Sequence, residues 1–176
     1  MKPNIRFNGF NDEWVAKKLG DVSDVKYGRD YKNVSQIGTV PVYGTGGMLA
    51  MIDKYQSESL DAVGLGRKGT INKPFVLKSP FWTVDTLFQI YPKVSLDLFF
   101  QLYLFNNINW LKYNESTGVP SLSKSNIEKV VRNFPTLPEQ QKIGALFEKL
   151  DAEIAAEQAK IDWLKEQKKG LLQKVL

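Results

Sequence analysis

The chain has 176 residues and a formal net charge of +5, and it contains neither cysteine nor histidine. These absences exclude disulfide frameworks, thiol nucleophiles, Cys/His zinc sites and histidine-based catalytic triads. Hydrophobic residues make up 43% of the chain and charged residues 24%, which suits one globular domain with an appendage. No stretch approaches the roughly 20 apolar residues of a membrane span, and the N-terminus lacks the apolar core of a secretory signal. We therefore predict a soluble cytoplasmic protein that has no contact with a membrane.

The basic excess lies entirely in residues 1–135, where 17 Lys and Arg residues accompany 12 Asp and Glu residues. Residues 136–176 hold seven of each sign and are neutral. A modest positive excess suits a polyanionic partner such as nucleic acid, although many proteins without such a partner are equally basic. Charge alone therefore supports nucleic-acid binding only weakly.

Residues 1–135 are predicted to form an α+β domain built on a mostly antiparallel sheet or partial barrel. Short β-type runs alternate there with turns rich in glycine and proline. The predicted strands are 39–43, 62–65, 75–77, 81–84 and 87–91.

Two helices are predicted among these strands. Apolar residues at 96, 99, 100, 103 and 104 recur with helical spacing, which predicts a helix with Ser95 as its N-cap and its apolar stripe on the sheet. A shorter helix is predicted to follow Ser123 or Ser125, because Ser125 and Glu128 have the spacing of a capping box.

Residues 136–176 are predicted to form one long coiled-coil helix. Pro138 suits its first turn, and Glu139 suits the positive end of the helix dipole. Ten positions then alternate in steps of four and three, which is the a/d spacing of a heptad repeat, and eight of them are apolar. These seam positions are Ile143, Phe147, Leu150, Ile154, Glu157, Ile161, Leu164, Lys168, Leu171 and Val175.

The length of this helix decides between two interpretations of the seam. Residues 138–176 would span about 58 Å at roughly 1.5 Å per residue. A helix this long favours a coiled coil with a partner helix over the alternative, a core helix folded back on its own domain. The polar seam residues Glu157 and Lys168 could face each other across an antiparallel pair and fix its register.

Two motifs resemble chemical sites but predict none. The spacing of Gly64, Gly66 and Gly69 matches a dinucleotide fingerprint, but Pro74 blocks the helix that must follow it. Glu166 and Lys168 match half of a nuclease signature, but they lie on the predicted long helix without an acidic partner. We therefore predict a protein without catalytic residues, bound metal or a cofactor of its own.

The remaining candidates are polar and aromatic side chains in glycine-rich loops. Arginine can read guanine edges, asparagine can read adenine, and lysine mainly contacts phosphate. For each residue alone a solvated turn is the commoner role, so only their joint presence on a basic domain favours DNA. The candidate DNA-binding residues are Tyr27, Arg29, Lys32, Tyr43, Thr45, Arg67, Lys68, Thr70, Asn72, Lys73, Ser116, Thr117, Ser121 and Lys124.

Several of these loops lie in segments that together resemble one protein family. The segments are VPVYGTGG at 40–47, GRKGTI at 66–71, PFWTVDTLF at 80–88, STGVPSLS at 116–123 and PEQQKI at 138–143. In this order they resemble type I restriction-modification specificity subunits, over nearly the whole chain. The resemblance implies a target recognition domain that reads half of a bipartite DNA sequence, and then a conserved helix that packs antiparallel against its equivalent.

A usual member of that family has two recognition domains and two such helices, so this chain resembles a half-subunit. The resemblance implies completion by a second copy or by a different half-subunit. It also implies partner methyltransferase (M) and restriction (R) subunits that hold S-adenosylmethionine, ATP and Mg²⁺. Target choice is expected to come from segments 27–36, 48–58 and 72–75. The alternative is a structural adaptor, a truncated remnant that assembles through its helix but no longer reads DNA.

Overall fold

A computed structural model describes residue 3, residues 5–34 and residues 37–176. The elements in chain order are β1 (Val15–Lys18), α1 (Leu19–Val22), β2 (Ser23–Tyr27), β3 (Val40–Gly44), β4 (Gly47–Ile52), β5 (Ala62–Gly66), β6 (Phe75–Leu77), β7 (Trp82–Thr83), β8 (Leu87–Pro92), α2 (Leu98–Asn106), a 3₁₀ helix (Trp110–Tyr113), α3 (Lys124–Lys129), β9 (Val131–Phe134) and α4 (Leu137–Val175). Residues up to the end of β9 form a head, from which α4 extends.

The centre of the head is an antiparallel sheet in the order β2-β8-β5-β6. All of β5 is buried because this strand has a hydrophobic cluster on each side. Val63 and Leu65 belong to the main core, whereas Ala62 belongs to a second cluster with Phe81 and Tyr91. The sheet therefore separates a large helical core from a smaller cluster beneath the loops that lead into β7.

A second sheet has the order β4-β3-β7, in which β3 and β4 form a tight hairpin and β3 and β7 run parallel. Gly44 pairs with Gly47, so Thr45 and Gly46 make a two-residue turn. Gly47 has a φ of +115°, a conformation that favours glycine. The third sheet pairs β1 with β9 and brings the start of the head close to the start of α4.

Helix α2 connects the main core to α4. Asp97 is its N-cap and accepts a hydrogen bond from Phe100 N at 2.9 Å, so the prediction of Ser95 was wrong. The buried side chains of α2 are those of Phe100, Gln101, Leu102 and Phe105. The predicted apolar stripe was therefore only partly right, because α2 packs against two partners. Tyr103 and Leu104 are half-buried and line a groove beside α4.

The α+β prediction is confirmed, with three separate sheets and no closed barrel among the described strands. The five predicted strands are present with ends shifted by at most two residues. The sequence did not predict β1, β2, β4 and β9, which carry charged residues or glycine. Ser123 caps α3 by accepting from Asn126 N at 3.2 Å, whereas Ser125 lies inside the helix.

The predicted long helix is confirmed as α4, and only its beginning is packed in the head. Glu139, Gln140 and Gly144 are buried. The side chain of Gln140 accepts from Asp97 N and donates to the carbonyls of Ser95 and Pro135, at 2.9–3.1 Å. Every residue from 145 to 169 is exposed, so the greater part of α4 is not folded back on its own head. Among the described residues, no helix has the length and apolar character to span a membrane.

Candidate nucleic-acid interface

Backbone hydrogen bonds bring two of the predicted DNA-binding loops together. Lys68 and Ser121 form an isolated antiparallel bridge. On either side of it, Leu122 N donates to the carbonyl of Arg67, and Gly69 N donates to the carbonyl of Pro120, both at 2.9 Å. The loops at 67–70 and 116–124 are therefore one surface, although about fifty residues separate them in sequence.

Asn114 holds the second of these loops in shape. Its Oδ1 accepts from Ser116 N at 3.1 Å and from Ser121 N at 2.8 Å, and its Nδ2 donates to the carbonyl of Ser116 at 2.7 Å. Ser116 Oγ accepts from Gly118 N, so this hydroxyl supports the loop, whereas Thr117 is exposed at its tip. Asn114 was not among the predicted residues, although an asparagine directly before a turn is a known signal for such bonds.

Arg67 is fixed in place by the head itself. Its guanidinium lies 5.5 Å from the centre of the Tyr27 ring, and its Nη1 donates to the carbonyl of Asp85 at 3.1 Å. Tyr27 in turn packs against Phe88, with 5.2 Å between ring centres. Because a guanidinium has five N–H donors, this arrangement orients Arg67 and leaves donors for a partner.

Next to Tyr27 the head has a polar groove of about 560 Å³. Three predicted residues line it: Tyr27, Arg29 and Lys124. Tyr55 and Gln56, which also line it, lie in the predicted target-choice segment 48–58. The lining residues that the sequence did not predict are Asp24, Val25, Lys26, Trp82 and Gln89. Trp82 Nε1 donates to the carbonyl of Arg29 at 2.9 Å and thereby ties the backbone beside that cation to β7.

The charges around this groove are mixed. Lys26 lies 3.8 Å from the carboxylate of Asp24, and Lys124 lies 3.6 Å from that of Glu128. These pairs are partly or fully exposed, so water and salt screen them and both lysines can exchange partners. Among the described residues, no cluster of three acidic side chains is arranged to hold a metal ion.

Other predicted residues lie apart from the groove or have a different role. Tyr43 packs its ring on Phe75, with 5.8 Å between centres, which is a structural contact. Thr45 is at the tip of the β3-β4 hairpin, beside the loop that contains Thr70. The exposed residues Lys32, Asn72 and Lys73 are not among those that line the groove. Of the predicted target-choice segment 27–36, residues 35 and 36 lie outside the described residues.

The first seam residues of α4 contact the head. Ile143 is half-buried, and the Phe147 ring lies 5.1 Å from that of Tyr103. Tyr103 donates from its hydroxyl to Asp151 Oδ2 at 2.7 Å. Burial, together with this hydrogen bond to a carboxylate, raises the pKa of Tyr103 well above its usual range. This part of the seam thus fixes the direction in which α4 leaves the head.

Beyond Asp151 the predicted seam is exposed on a bare helix. Its apolar members there are Ile154, Ile161, Leu164, Leu171 and Val175. The heptad pattern did not single out Leu146, Trp163 or Leu172, which are also large and exposed. Trp163 lies near the opposite face of α4, because it is two positions after the seam residue Ile161.

Comparison with known proteins defines the class of this chain. A family model described as the type I restriction-modification DNA specificity domain matches residues 11–166. The chain therefore belongs to the type I restriction-modification DNA specificity domain family. The resemblance found in the sequence is thus confirmed. No curated protein sequence matches the chain significantly.

Three solved structures share the fold. The S subunit of a type I restriction-modification system from M. genitalium matches with a TM-score of 0.71 and 17% identity, over 89% of this chain and 43% of that one. A structure solved for the complex assembly and conformational transition of the type I R-M system matches with 0.67 and 19%, over 88% and 41%. The HsdS subunit from Thermoanaerobacter tengcongensis matches with 0.63 and 19%, over 88% and 41%. The chain thus spans less than half the length of each.

Proposed function

We propose that this chain is a sequence-specific DNA recognition half-subunit of a type I restriction-modification system. Its head would read one half of a bipartite target, and α4 would set the distance to the second half. The observation that carries this proposal is the meeting of three separate basic or hydroxyl-bearing segments, 27–29, 67–70 and 116–124, on one face of the head. Because the chain belongs to the DNA specificity domain family, DNA is the ligand expected on that face.

The residues of this face divide into two roles. Arg67 is oriented by Tyr27 and Asp85, so it can present a fixed guanidinium to a base edge. Lys68 is exposed and Lys124 half-exposed on flexible side chains, which suits phosphate contacts that position the head without reading sequence. Binding through such lysines releases counterions, so DNA affinity should fall as the salt concentration rises.

The exposed apolar seam of α4 supports pairing with a second half-subunit. Two identical copies would pair antiparallel about a two-fold axis and place the two heads at opposite ends of the rod. The DNA target would then be two inverted copies of one half-site around an unspecified spacer. A different half-subunit as partner would give two different halves.

Methylation and cleavage would belong to partner subunits. We infer that methyltransferase subunits bring S-adenosylmethionine, that restriction subunits bring ATP and Mg²⁺, and that this chain acts in the cytoplasm without catalysing a reaction. Among the described residues there is no acidic cluster for a metal ion, and the chain has no histidine or cysteine. This composition supports a recognition role.

The direct test is sequencing of modified DNA from cells that hold the cognate methyltransferase with and without this chain. We expect one bipartite sequence to become methylated only when the chain is present. If the chain assembles with the methyltransferase but directs no modification, the structural adaptor is the better description. If modification is unchanged and no complex forms, both proposals are wrong.

Pairing is tested by light scattering of the purified chain at micromolar concentration. We expect a dimer, and we expect Leu150→Lys with Ile154→Lys to give a monomer with a folded head. A matched control is Ala152→Lys with Ala159→Lys, because these exposed residues lie on the face of α4 away from the seam. A wild-type monomer would argue against self-pairing.

A further inference from the structure

Gln56 has an amide whose orientation is fixed by its neighbours. Its Oε1 accepts hydrogen bonds from Thr83 N and Thr83 Oγ1, both at 3.1 Å, and from Gln89 Nε2. Gln89 also donates to Thr83 Oγ1 and accepts from the hydroxyl of Tyr91, both at 2.7 Å. Because three donors converge on Oε1, the other end of the amide must be the NH₂ group.

That NH₂ group is buried and has no hydrogen-bond partner within the described part of the chain. A buried donor without an acceptor destabilises a protein, so such groups mark places where a ligand or an ordered solvent molecule completes the bond. Gln56 lines the polar groove beside Tyr27, but its NH₂ group is buried behind the groove wall, so an acceptor reaches it only when the wall opens around a ligand.

The lining of the groove suits an aromatic ligand that carries a phosphate. Tyr27, Tyr55 and Trp82 line it, and the ring of Tyr55, which is about half exposed, is the one available for stacking, because the Tyr27 ring already contacts Arg67 and Phe88. Arg29 and Lys124 supply positive charge, whereas the carboxylate of Asp24, which also lines the groove, lies 3.8 Å from Lys26 Nζ. A volume of about 560 Å³ is within the range of sites that enclose a small molecule.

The depth at which the Gln56 amide lies decides whether a single nucleotide or an intact duplex can reach it. Base edges in B-DNA lie at the bottom of a groove about 8.5 Å deep, so a residue must project from the protein surface to read them. Gln56 is half-buried and its NH₂ group is inaccessible to solvent, so it does not project in this way. A base can meet this amide only after it has left the stack.

We propose that this groove binds one unstacked nucleotide of the DNA target, an inference that rests on the proposed function. The base lies against the aromatic side chains, and Gln56 Nε2 donates a hydrogen bond to an acceptor atom on the base edge. Arg29 and Lys124 contact the phosphates on either side of it. Gln56 is then a specificity-determining residue, and Thr83, Gln89 and Tyr91 are positioning residues that hold its amide.

The test uses the full-length chain in its methyltransferase complex and the duplex target found by sequencing of modified DNA. 2-Aminopurine replaces each purine of that duplex in turn, and its fluorescence rises when it or its neighbour leaves the stack. We expect at least a severalfold rise at one position. Tight binding of the cognate duplex with no rise at any position would overturn the nucleotide pocket and leave the proposed function standing.

Gln56→Glu is the sharpest variant, because it keeps an accepting Oε1, replaces the NH₂ donor by a second oxygen and adds a negative charge. We expect it to lower the affinity for the cognate duplex by more than the roughly fivefold effect of one neutral hydrogen bond, because the added charge also repels the acceptor atom of the base. Tyr55→Ala should reduce the 2-aminopurine signal, whereas Leu60→Ala, an exposed residue that is not among those lining the groove, should change neither quantity. Wild-type affinity and fluorescence in Gln56→Glu would contradict the role given to this amide.

A second measurement tests whether the pocket binds a nucleotide even if no DNA target is found. The lack of a target would itself contradict the proposed function. The purified chain is titrated with dAMP, dGMP, dCMP and dTMP, and tryptophan fluorescence is followed. We expect saturable quenching at millimolar concentration that is lost in Trp82→Phe and weakened in Gln56→Glu. The absence of saturable quenching by all four nucleotides would overturn the pocket.

Discussion

Arg6 and Glu139 join the N-terminal segment of the chain to the first turn of α4. Nε and Nη2 of Arg6 donate to the two carboxylate oxygens of Glu139, both at 2.7 Å. The Glu139 side chain is fully buried, and that of Arg6 is 13% exposed. The ring of Phe10 lies 5.0 Å from Lys142 Nζ on the same stretch of helix. The beginning of α4 is therefore held on one side by α2 and on the other by the N-terminal segment.

Arg6→Met should destabilise the protein more than Glu139→Gln. The first change leaves a buried carboxylate without its counterion, whereas the second leaves a guanidinium that is close to solvent. The midpoint of urea unfolding measures this order, and hydrogen exchange at residues 139–144 should rise most in Arg6→Met. Equal midpoints for both variants and the wild type would show that the pair contributes no stability.

Gly144 and Gly170 give a matched test of where α4 contacts the head. A Cβ on Gly144 would lie 2.7 Å from Asp97 Oδ1 and 3.0 Å from Phe100 N, whereas a Cβ on Gly170 would meet nothing within 4 Å. We expect Gly144→Ala to cost about 1–3 kcal/mol of unfolding free energy through overpacking. Gly170→Ala should instead gain up to about 1 kcal/mol from helix propensity. Thermal or denaturant unfolding checks both signs, and a stabilising Gly144→Ala would contradict the close packing of α4 on α2.

The fold was predictable where local patterns agree with the tertiary structure. The heptad spacing predicted both ends of α4 to within two residues. After Asp151 this helix does not pack on the head, so its local pattern alone determines its structure. The stripe of α2 was predicted less well, since Gln101 is buried and Tyr103 turns toward α4. A single periodicity cannot describe a helix that is packed on two sides.

The sequence could predict which types of residue form the site, but it could not predict which of them lie close together. Cations beside glycine or serine, such as Arg67 and Lys124, stand out in a sequence, and both lie on the face formed by the joined loops. Gln56 lies in the predicted target-choice segment 48–58 but does not stand out within it, because its fixed amide depends on Thr83 and Gln89 from β7 and β8. No local signal reports a hydrogen-bond network that exists only after the sheets have packed.

Asp61 should make the stability of the head depend on pH in the acidic range. Its carboxylate accepts from Lys78 Nζ at 2.8 Å and from both N and Oγ of Ser79 at 2.9 Å. Burial opposes the ionisation of Asp61, but these bonds outweigh it and lower its pKa. A lowered pKa in the folded state gives stability that is fully present above about pH 4, the usual pKa of an unfolded aspartate, and is lost below that as the pH falls through the lower folded pKa.

Unfolding of the wild type and of Asp61→Asn between pH 2 and 7 measures this contribution. The difference in stability between them should be largest near neutral pH and should shrink as the pH falls below about 4. Asp53→Asn is the control, because this carboxylate is exposed and makes no such bonds with the residues that the structure describes. A difference that is constant over the whole range would show that the hydrogen bonds do not depend on ionisation.

Lys124→Ala should weaken DNA binding and also reduce its dependence on salt. If Lys124 leaves Glu128 to contact a phosphate, its loss lowers the slope of log K against log salt by about 0.9. Binding isotherms at several salt concentrations give that slope. Lys149→Ala, which removes an exposed lysine of α4 that pairs with Glu153, should leave the slope unchanged. An unchanged slope in Lys124→Ala would mean that this lysine stays paired with Glu128 in the complex.

Glu157 and Lys168 should fix the register of two antiparallel α4 helices. If these residues face each other across the pair, the same register places Ile161 opposite Leu164 and Ile154 opposite Leu171. All four of these apolar residues are exposed in the single chain, so the register buries them together. Glu157 is also 4.0 Å from Lys160 on its own helix, a weaker and fully exposed alternative.

Because the chain has no cysteine, introduced cysteines report this register cleanly. A mixture of Ile161→Cys and Leu164→Cys chains should form mainly the mixed disulfide. Replacing both Glu157 and Lys168 by leucine should raise the thermal stability of the dimer, since polar seam residues cost stability. It should also allow the identical-chain disulfides to form, because an all-apolar seam no longer distinguishes neighbouring registers. An unchanged disulfide pattern in the double leucine variant would mean that Ile154, Ile161 and their apolar partners set the register by packing alone.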